Sequence, residues 1–122
     1  MRDNYIRLAE GFLVVYSITD RNSFDQVEMF VTHIYFIKED NNVPIILVGS
    51  KKDLDGDRQV KKSEGKSLAE RYSIPFYETS AKTDFNVTRV FGQLVKRVQE
   101  YKKSEKKKRK KNQNICQSCL LN

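Results

Sequence analysis

The sequence predicts an α/β fold in which three parallel strands alternate with helices. Three observations carry that expectation. Short apolar runs rich in β-branched and aromatic residues recur at Phe12–Ser17, Ile45–Gly49 and, more weakly, Phe76–Thr79. Apolar stripes at helical spacing follow each run. The resulting order, strand–helix three times over, implies crossover connections and a parallel sheet. In such sheets ligands sit beyond the carboxyl ends of the strands. The loops that matter are therefore Ser50–Gln59 and Ser80–Phe85.

Each element has its own justification. Met1–Glu10 is polar and charged and has no signal-peptide pattern. Phe12–Ser17 reads as a buried strand. Asp20 or Ser23 can cap the next helix, Ser23–Glu39, whose Phe24, Val27, Phe30, Val31, Ile34 and Ile37 share a stripe. His33 is the only histidine, lies off that stripe and reads as solvated. With no second histidine or thiol nearby in sequence it supports no metal site. Ile45–Gly49 is the second strand. Ser63–Tyr72 is a poorer helix, with Gly65 inside it and only Leu68, Ala69 and Tyr72 to bury. Phe76–Thr79 follows Ser73-Ile74-Pro75. Val87–Tyr101 is the cleanest helix, with Val87, Val90, Phe91, Leu94, Val95, Val98 and Tyr101 on one face. The apolar runs are far too short to span a bilayer.

The 122 residues bound the chain to one domain, and 39% hydrophobic residues allow a modest core. The formal charge of +7 is unevenly placed. Lys102–Lys111 holds eight basic residues and one acidic, leaving 15 basic and 15 acidic in the rest of the chain. The expected division is a folded body, residues 1–101, and a disordered basic tail, residues 102–122. A neutral body argues against a broad nucleic-acid face, and the lysine run lacks interleaved aromatics, so nucleic acid is not an expected partner. Cys116 and Cys119, the only cysteines, both fall in the last seven residues. That placement disfavours a structural disulfide and fits a reducing cytosol.

Two strand-end motifs are specific. Val48-Gly49-Ser50-Lys51-Lys52-Asp53-Leu54 closes the second strand, and Glu78-Thr79-Ser80-Ala81-Lys82 closes the third. In order, spacing and strand context they resemble the Asn-Lys-x-Asp and Ser-Ala-Lys motifs with which Ras-type small GTPases read guanine. The resemblance covers almost the whole body and corresponds to the C-terminal half of that family's domain. It implies a partial P-loop GTPase fold and a guanine site made of Ser50, Lys51, Asp53, Ser80, Ala81 and Lys82.

The chemistry explains those residue types. Guanine presents two adjacent donors, N1–H and the 2-amino group, and one carboxylate can accept both. Asp53 would be the discriminator, because adenine would leave it unpaired. The Lys51 stem would lie along the purine face with its ammonium in water. The Ala81 N–H would donate to O6, and Ser80 and Lys82 would support that loop. Ser50 departs from the family's Asn, whose amide would donate to N7. A shorter hydroxyl weakens base binding, one such bond being worth ~1 kcal/mol.

Two look-alikes are set aside. Gly65-Lys66-Ser67 resembles the end of a phosphate loop, but the earlier glycine it needs would stand at Val60. Asp53-Leu54-Asp55-Gly56 has the spacing of a magnesium and γ-phosphate switch but follows the wrong strand. The phosphate loop, the magnesium ligands, the first switch and the water-positioning Gln of the family are not found among these residues. GTP/GDP binding is therefore expected to be weak and GTP hydrolysis is not expected of the chain as given. The resemblance also implies a first strand beside Phe12–Ser17. Without it that strand becomes an exposed apolar edge, and marginal stability is expected.

The last four residues, Cys119-Leu120-Leu121-Asn122, have the form of a prenylation signal at Cys119, with Cys116 placed for a palmitoyl chain. Asn122 is outside the usual terminal choices, so the prenyl type is open. Lipid at Cys119 with the Lys102–Lys111 run would hold the chain on an anionic inner leaflet. The expected location is the cytoplasmic face of the plasma membrane, with a cytosolic pool. The function implied is a guanine-nucleotide switch in signal transduction, truncated and catalytically silent in this form. The alternatives are a late-called gene start, a non-enzymatic membrane adaptor, and a pseudogene product.

Overall fold

The structure, a computed structural model, describes residues 2–121 and the side chains of residues 3–109. A short helix, α1 (Arg2–Leu8), leads into β1 (Phe12–Ser17). Two helices, α2 (Arg21–Asp25) and α3 (Val27–Lys38), connect it to β2 (Ile45–Ser50). A 3-10 turn (Lys52–Asp57) and α4 (Lys62–Arg71) lead to β3 (Phe76–Glu78), and α5 (Val87–Leu121) closes the chain. The sheet has the order β1-β2-β3 and is parallel throughout, with Phe12 opposite Ile45, Ser17 opposite Ser50, and Gly49 opposite Glu78.

Alternation along the strands builds two cores, one on each face. Val14, Tyr16, Ile45 and Leu47 pack with Val27, Val31 and Ile34 of α3 and Leu68 and Ala69 of α4. Ile46 and Val48 pack with Val90 and Leu94 of α5 on the other face. Ile45 through Val48 are all buried, as expected of a central parallel strand covered on both sides. Among the described residues β1 pairs only with β2, so its outer edge is open. The strand FLVVYS carries no charge or proline to guard that edge. A groove of about 390 Å³ beside it is lined by Ile6, Leu13, Val15, Phe30 and Ile34.

Local chemistry refines three of the expected helices. The 23–39 stripe is in fact two helices, since Gln26 breaks the run and its N–H tightens back onto Phe24 O. The break lets the Phe24 ring meet Tyr16 edge-on at 4.9 Å. Asp20 is the cap, accepting from the N–H groups of Asn22 and Ser23. Ser23 instead donates to Asp20 O at 2.7 Å and accepts from Ser17 N, tying the helix start to β1. In α4 the glycine that weakens the pattern is required. A Cβ on Gly65 would stand 2.5 Å from Tyr16 Oη and 2.6 Å from the Phe76 ring. α5 runs on through residues 102–121, the basic stretch that follows the folded body. Lys, Arg, Gln and Glu favour helix, and no Gly or Pro follows Gly92 to stop it. On the α5 stripe Val90, Leu94 and Val98 are covered, whereas Phe91 and Val95 stay more than half exposed. Tyr101 anchors the body's end of this helix by donating to Asp40 Oδ2 at 2.5 Å. No helix among the described residues is long and apolar enough to cross a membrane.

His33 is not merely solvated. Its Nε2 lies 2.9 Å from Asp3 Oδ1, joining α1 to α3. The hydrogen bond from His33, then its charge, pulls the Asp3 carboxyl below the ordinary Asp value. A lowered folded-state pKa contributes stability above the unfolded value that is lost as pH falls through the folded one. The α1–α3 contact is therefore expected to loosen on acidification below the ordinary Asp pKa of 3.8. Amide exchange in residues 2–8 at pH 5 and pH 3 reads this; equal protection at both would refute it.

Tyr16 is the one buried side chain among the described residues with an unpartnered polar atom, its hydroxyl. Burial, then the negative charge of Glu78, pushes its pKa upward, so the group stays neutral. An unsatisfied buried hydroxyl costs about 1–3 kcal/mol. Tyr16→Phe keeps the ring and removes the orphan, so it is expected to stabilise the fold by about 1 kcal/mol in urea unfolding. A loss of stability would show that the hydroxyl has a partner in solution.

Candidate functional site

The carboxyl ends of β2 and β3 lie side by side, and the loops leaving them carry both strand-end motifs. Their backbones are cross-tied. Thr79 N donates to Gly49 O at 2.8 Å, and Lys52 N donates to Thr79 O at 2.9 Å. These bonds extend the β2–β3 pairing past the sheet and hold the two loops together.

The structure brings Asp53 and Ser80 into contact. Ser80 is buried, and its hydroxyl donates to Asp53 Oδ1 at 2.7 Å while accepting from Thr83 N at 3.2 Å. One carboxylate oxygen of Asp53 is thereby oriented, and the residue is otherwise exposed at the mouth of the loop. A carboxylate fixed on one side and open on the other suits a ligand that offers two parallel donors. The second motif is held by a small antiparallel bridge, Ser80 N to Phe85 O at 3.1 Å and Phe85 N to Ser80 O at 2.9 Å. Between those rungs Ala81 and Lys82 are exposed, and among the described residues the Ala81 N–H has no partner. Closing so tight a turn puts Asp84 and Asn86 at left-handed φ angles of 58° and 60°.

Lys51 also has a left-handed backbone, φ 64°, at the entry to the 3-10 turn. This conformation is costly for a residue with a Cβ, and residues held in it cluster at functional sites. It leaves the Lys51 side chain exposed beside Asp53 in sequence. Ser50 is placed differently from its neighbours. Its hydroxyl donates to Tyr16 O at 2.9 Å, across to β1, and Ser50 O accepts from Ile18 N. The single Ser50 hydroxyl proton is therefore spent on the sheet.

Two residues of this region have no base-reading role in the strand-end motifs. Glu78 is 3% exposed and receives a bidentate pair from Arg58, Nη1 at 2.7 Å and Nη2 at 2.9 Å. Arg58 also donates from Nε to Asp55 Oδ1 at 2.6 Å and from Nη1 to Val60 O at 2.9 Å. The hydrogen bonds of Glu78, then those of Asp55, push the Arg58 pKa further up, and the guanidinium pulls Asp55 down. Lys52 Nζ adds a second cation 3.7 Å from Glu78. Only a contact twenty residues apart reveals this pair.

Magnesium does not fit the residues present. It asks for several converging oxygen ligands. Among the described residues no group of three or more His, Cys, Asp or Glu side chains could hold a metal. Asp53 and Asp55 are already engaged by Ser80 and Arg58. Gly65-Lys66-Ser67 lies inside α4 rather than after a strand. A second groove, about 430 Å³ between α2, α3 and α4, is lined by Glu64 and by the ion pair Arg71–Glu28 and lies apart from both motifs. The side chains of Cys116 and Cys119 lie outside the described residues.

Comparison with known proteins gives the family. The model of the Ras family matches residues 1–100. The chain is 45% identical over 117 residues to GTP-binding protein Rit1 of Mus musculus, covering 92% of this chain and 53% of that protein. It is 48% identical over 103 residues to a Ras-like protein of Laccaria bicolor, covering 84% and 49%. It is 46% identical over 110 residues to Ras-like protein rasZ of Dictyostelium discoideum, covering 90% and 51%. The chain spans about half the length of these relatives. On the family match and these identities, the chain belongs to the Ras family of small GTPases.

Proposed function

We propose that residues 1–101 read the guanine base of GTP or GDP, and that residues 102–122 hold the chain at an anionic membrane in a signalling switch. The observation that carries the base reading is the Ser80–Asp53 hydrogen bond. It fixes one oxygen of a carboxylate that is otherwise exposed, on the loop tied to the one that carries the unpartnered Ala81 N–H. On this reading Asp53 accepts from N1–H and the 2-amino group, Ala81 N–H donates to O6, and the Lys51 stem covers one purine face. Ser80 orients Asp53, and Lys82 supports the turn. Ser50, its proton given to Tyr16 O, supplies no donor to N7, which makes the interaction weak.

Binding of the base is the whole of the chemistry proposed for this chain. Phosphoryl transfer depends on groups placed around the phosphates, and the side chains that converge here address a base. Incubation with GTP is expected to yield no GDP above the solvent rate. Equilibrium dialysis tests the base reading itself. GMP is expected to be retained at least about tenfold better than AMP, because adenine strands the Asp53 carboxylate. Equal retention would overturn the reading.

The membrane part rests on charge and sequence form. Lys102–Lys111 places eight cations on one stretch, each worth up to about 1 kcal/mol near anionic lipid. Prenylation at Cys119, with palmitoylation at Cys116 as a further anchor, would supply the hydrocarbon. The cytoplasmic face of the plasma membrane is the location this chemistry suits.

A further inference from the structure

We propose that Arg58 and Glu78 form the positioning pair that sets the spacing between the two base-reading loops, and hence the preference for a base bearing a 2-amino group. The proposal rests on the guanine reading above. Its grounds are two side-chain rungs that join the same two segments. The first rung is Asp53–Ser80, between the side chains closest to the base. The second is Arg58–Glu78, five residues after Asp53 on one side and, at the end of β3, two before Ser80 on the other.

The first rung is weak by itself. It is a single hydrogen bond from a hydroxyl rotor to an exposed carboxylate. The second is the stiff one. A guanidinium and a carboxylate meeting at two points fix both distance and angle, and Glu78 is buried where it cannot exchange partners with water. Arg58 transmits the restraint both ways. Its Nε holds Asp55, two residues from Asp53, and its Nη1 holds Val60 O beyond the turn. Glu78 transmits it onward through its own carbonyl, which accepts from Asn86 Nδ2 at 3.0 Å and so closes the Ser80–Phe85 turn from below. Asp53 and Ala81 therefore inherit their separation from a pair that touches neither the base nor each of them directly.

A 2-amino group is the most demanding test of that separation. Hypoxanthine offers O6, N7 and N1–H as guanine does, and lacks only the 2-amino group. An Asp53 carboxylate in the right place gains from that extra donor; one that has drifted relative to Ala81 does not. The wild-type chain is expected to bind GMP about tenfold or more better than IMP, the worth of one charge-assisted hydrogen bond. In Glu78→Gln and Arg58→Lys the ratio is expected to fall to within about twofold, since each removes the charged fork.

The experiment is an NMR titration of the 122-residue chain with GMP and with IMP, for wild type and three variants. Arg58→Lys keeps the charge and most of the bulk, so it keeps the test alive should Glu78→Gln fail to fold. Val31→Ala, in the α3 core, is the control for general loosening. Loss of the GMP:IMP ratio in Arg58→Lys with its retention in Val31→Ala supports the proposal. An unchanged ratio in folded Arg58→Lys overturns it, as does an equal loss in Val31→Ala. A wild-type chain with no preference for GMP over IMP or AMP would instead sink the guanine reading on which the proposal stands.

Discussion

Arg58→Ala is expected to destabilise the fold by about 3–5 kcal/mol, the largest effect of any single loop substitution here. The cause is what it leaves behind. Glu78 is 3% exposed, and without Arg58 its carboxylate would be buried with only the more distant Lys52 ammonium beside it. Asp55 and Val60 O would lose their shared donor as well. Small domains hold only about 5–15 kcal/mol in total, and among the described residues β1 has one open edge, with Val15 more than half exposed. Urea unfolding followed by circular dichroism is expected to show the variant largely unfolded in water. Glu78→Gln paired with Arg58→Met, which removes both charges, should recover part of the loss, because the cost lies in the stranded charge rather than in the missing bond. A loss below about 1 kcal/mol for Arg58→Ala would mean that Glu78 is reached by water after all.

Asp53→Asn is expected to move base preference from guanine to xanthine. The cause is the count of donors and acceptors. A carboxylate presents two acceptors and fits the two donors of guanine. An asparagine amide presents one acceptor and one donor. Xanthine has N1–H beside a carbonyl oxygen, so it meets that amide with both groups paired, while guanine would set two donors against each other. The Ser80 hydroxyl can still donate to the amide oxygen, so the first rung survives the substitution. GMP retention should fall by about tenfold or more and XMP retention should rise above it, each stranded polar group costing about 1–3 kcal/mol. Competition dialysis with GMP and XMP measures this, and a variant that still prefers GMP would remove Asp53 from the base-reading role.

The sheet and the site loops were legible for a simple reason: both are local. β1 and β2 are runs of β-branched residues closed by turn chemistry, and Phe12–Ser17 appears in the structure with the same bounds. The paired strand-end motifs carry their own spacing. What the chain does not announce locally is what sequence-distant groups decide. The stripe from Phe24 to Ile37 keeps helical period straight through Gln26, and only the demand of the Tyr16 ring for Phe24 reveals the break. Gly65 looks like a flaw in α4 until Tyr16 and Phe76 are seen where its Cβ would go. His33 and Asp3 are thirty residues apart, and Arg58 and Glu78 are twenty. In each case charge or bulk is satisfied across elements, and no window of the sequence contains both partners.

The most direct test of the central claim follows the backbone amides of Ala81, Lys51, Asp53 and Val31 in a 15N-labelled sample as GMP, and then AMP, is added. GMP is expected to shift Ala81, Lys51 and Asp53 along one saturating curve while Val31 stays silent, and AMP is expected to shift none of the four. Matching shifts with AMP, or GMP shifts confined to residues away from these two loops, would contradict a guanine site at the ends of β2 and β3.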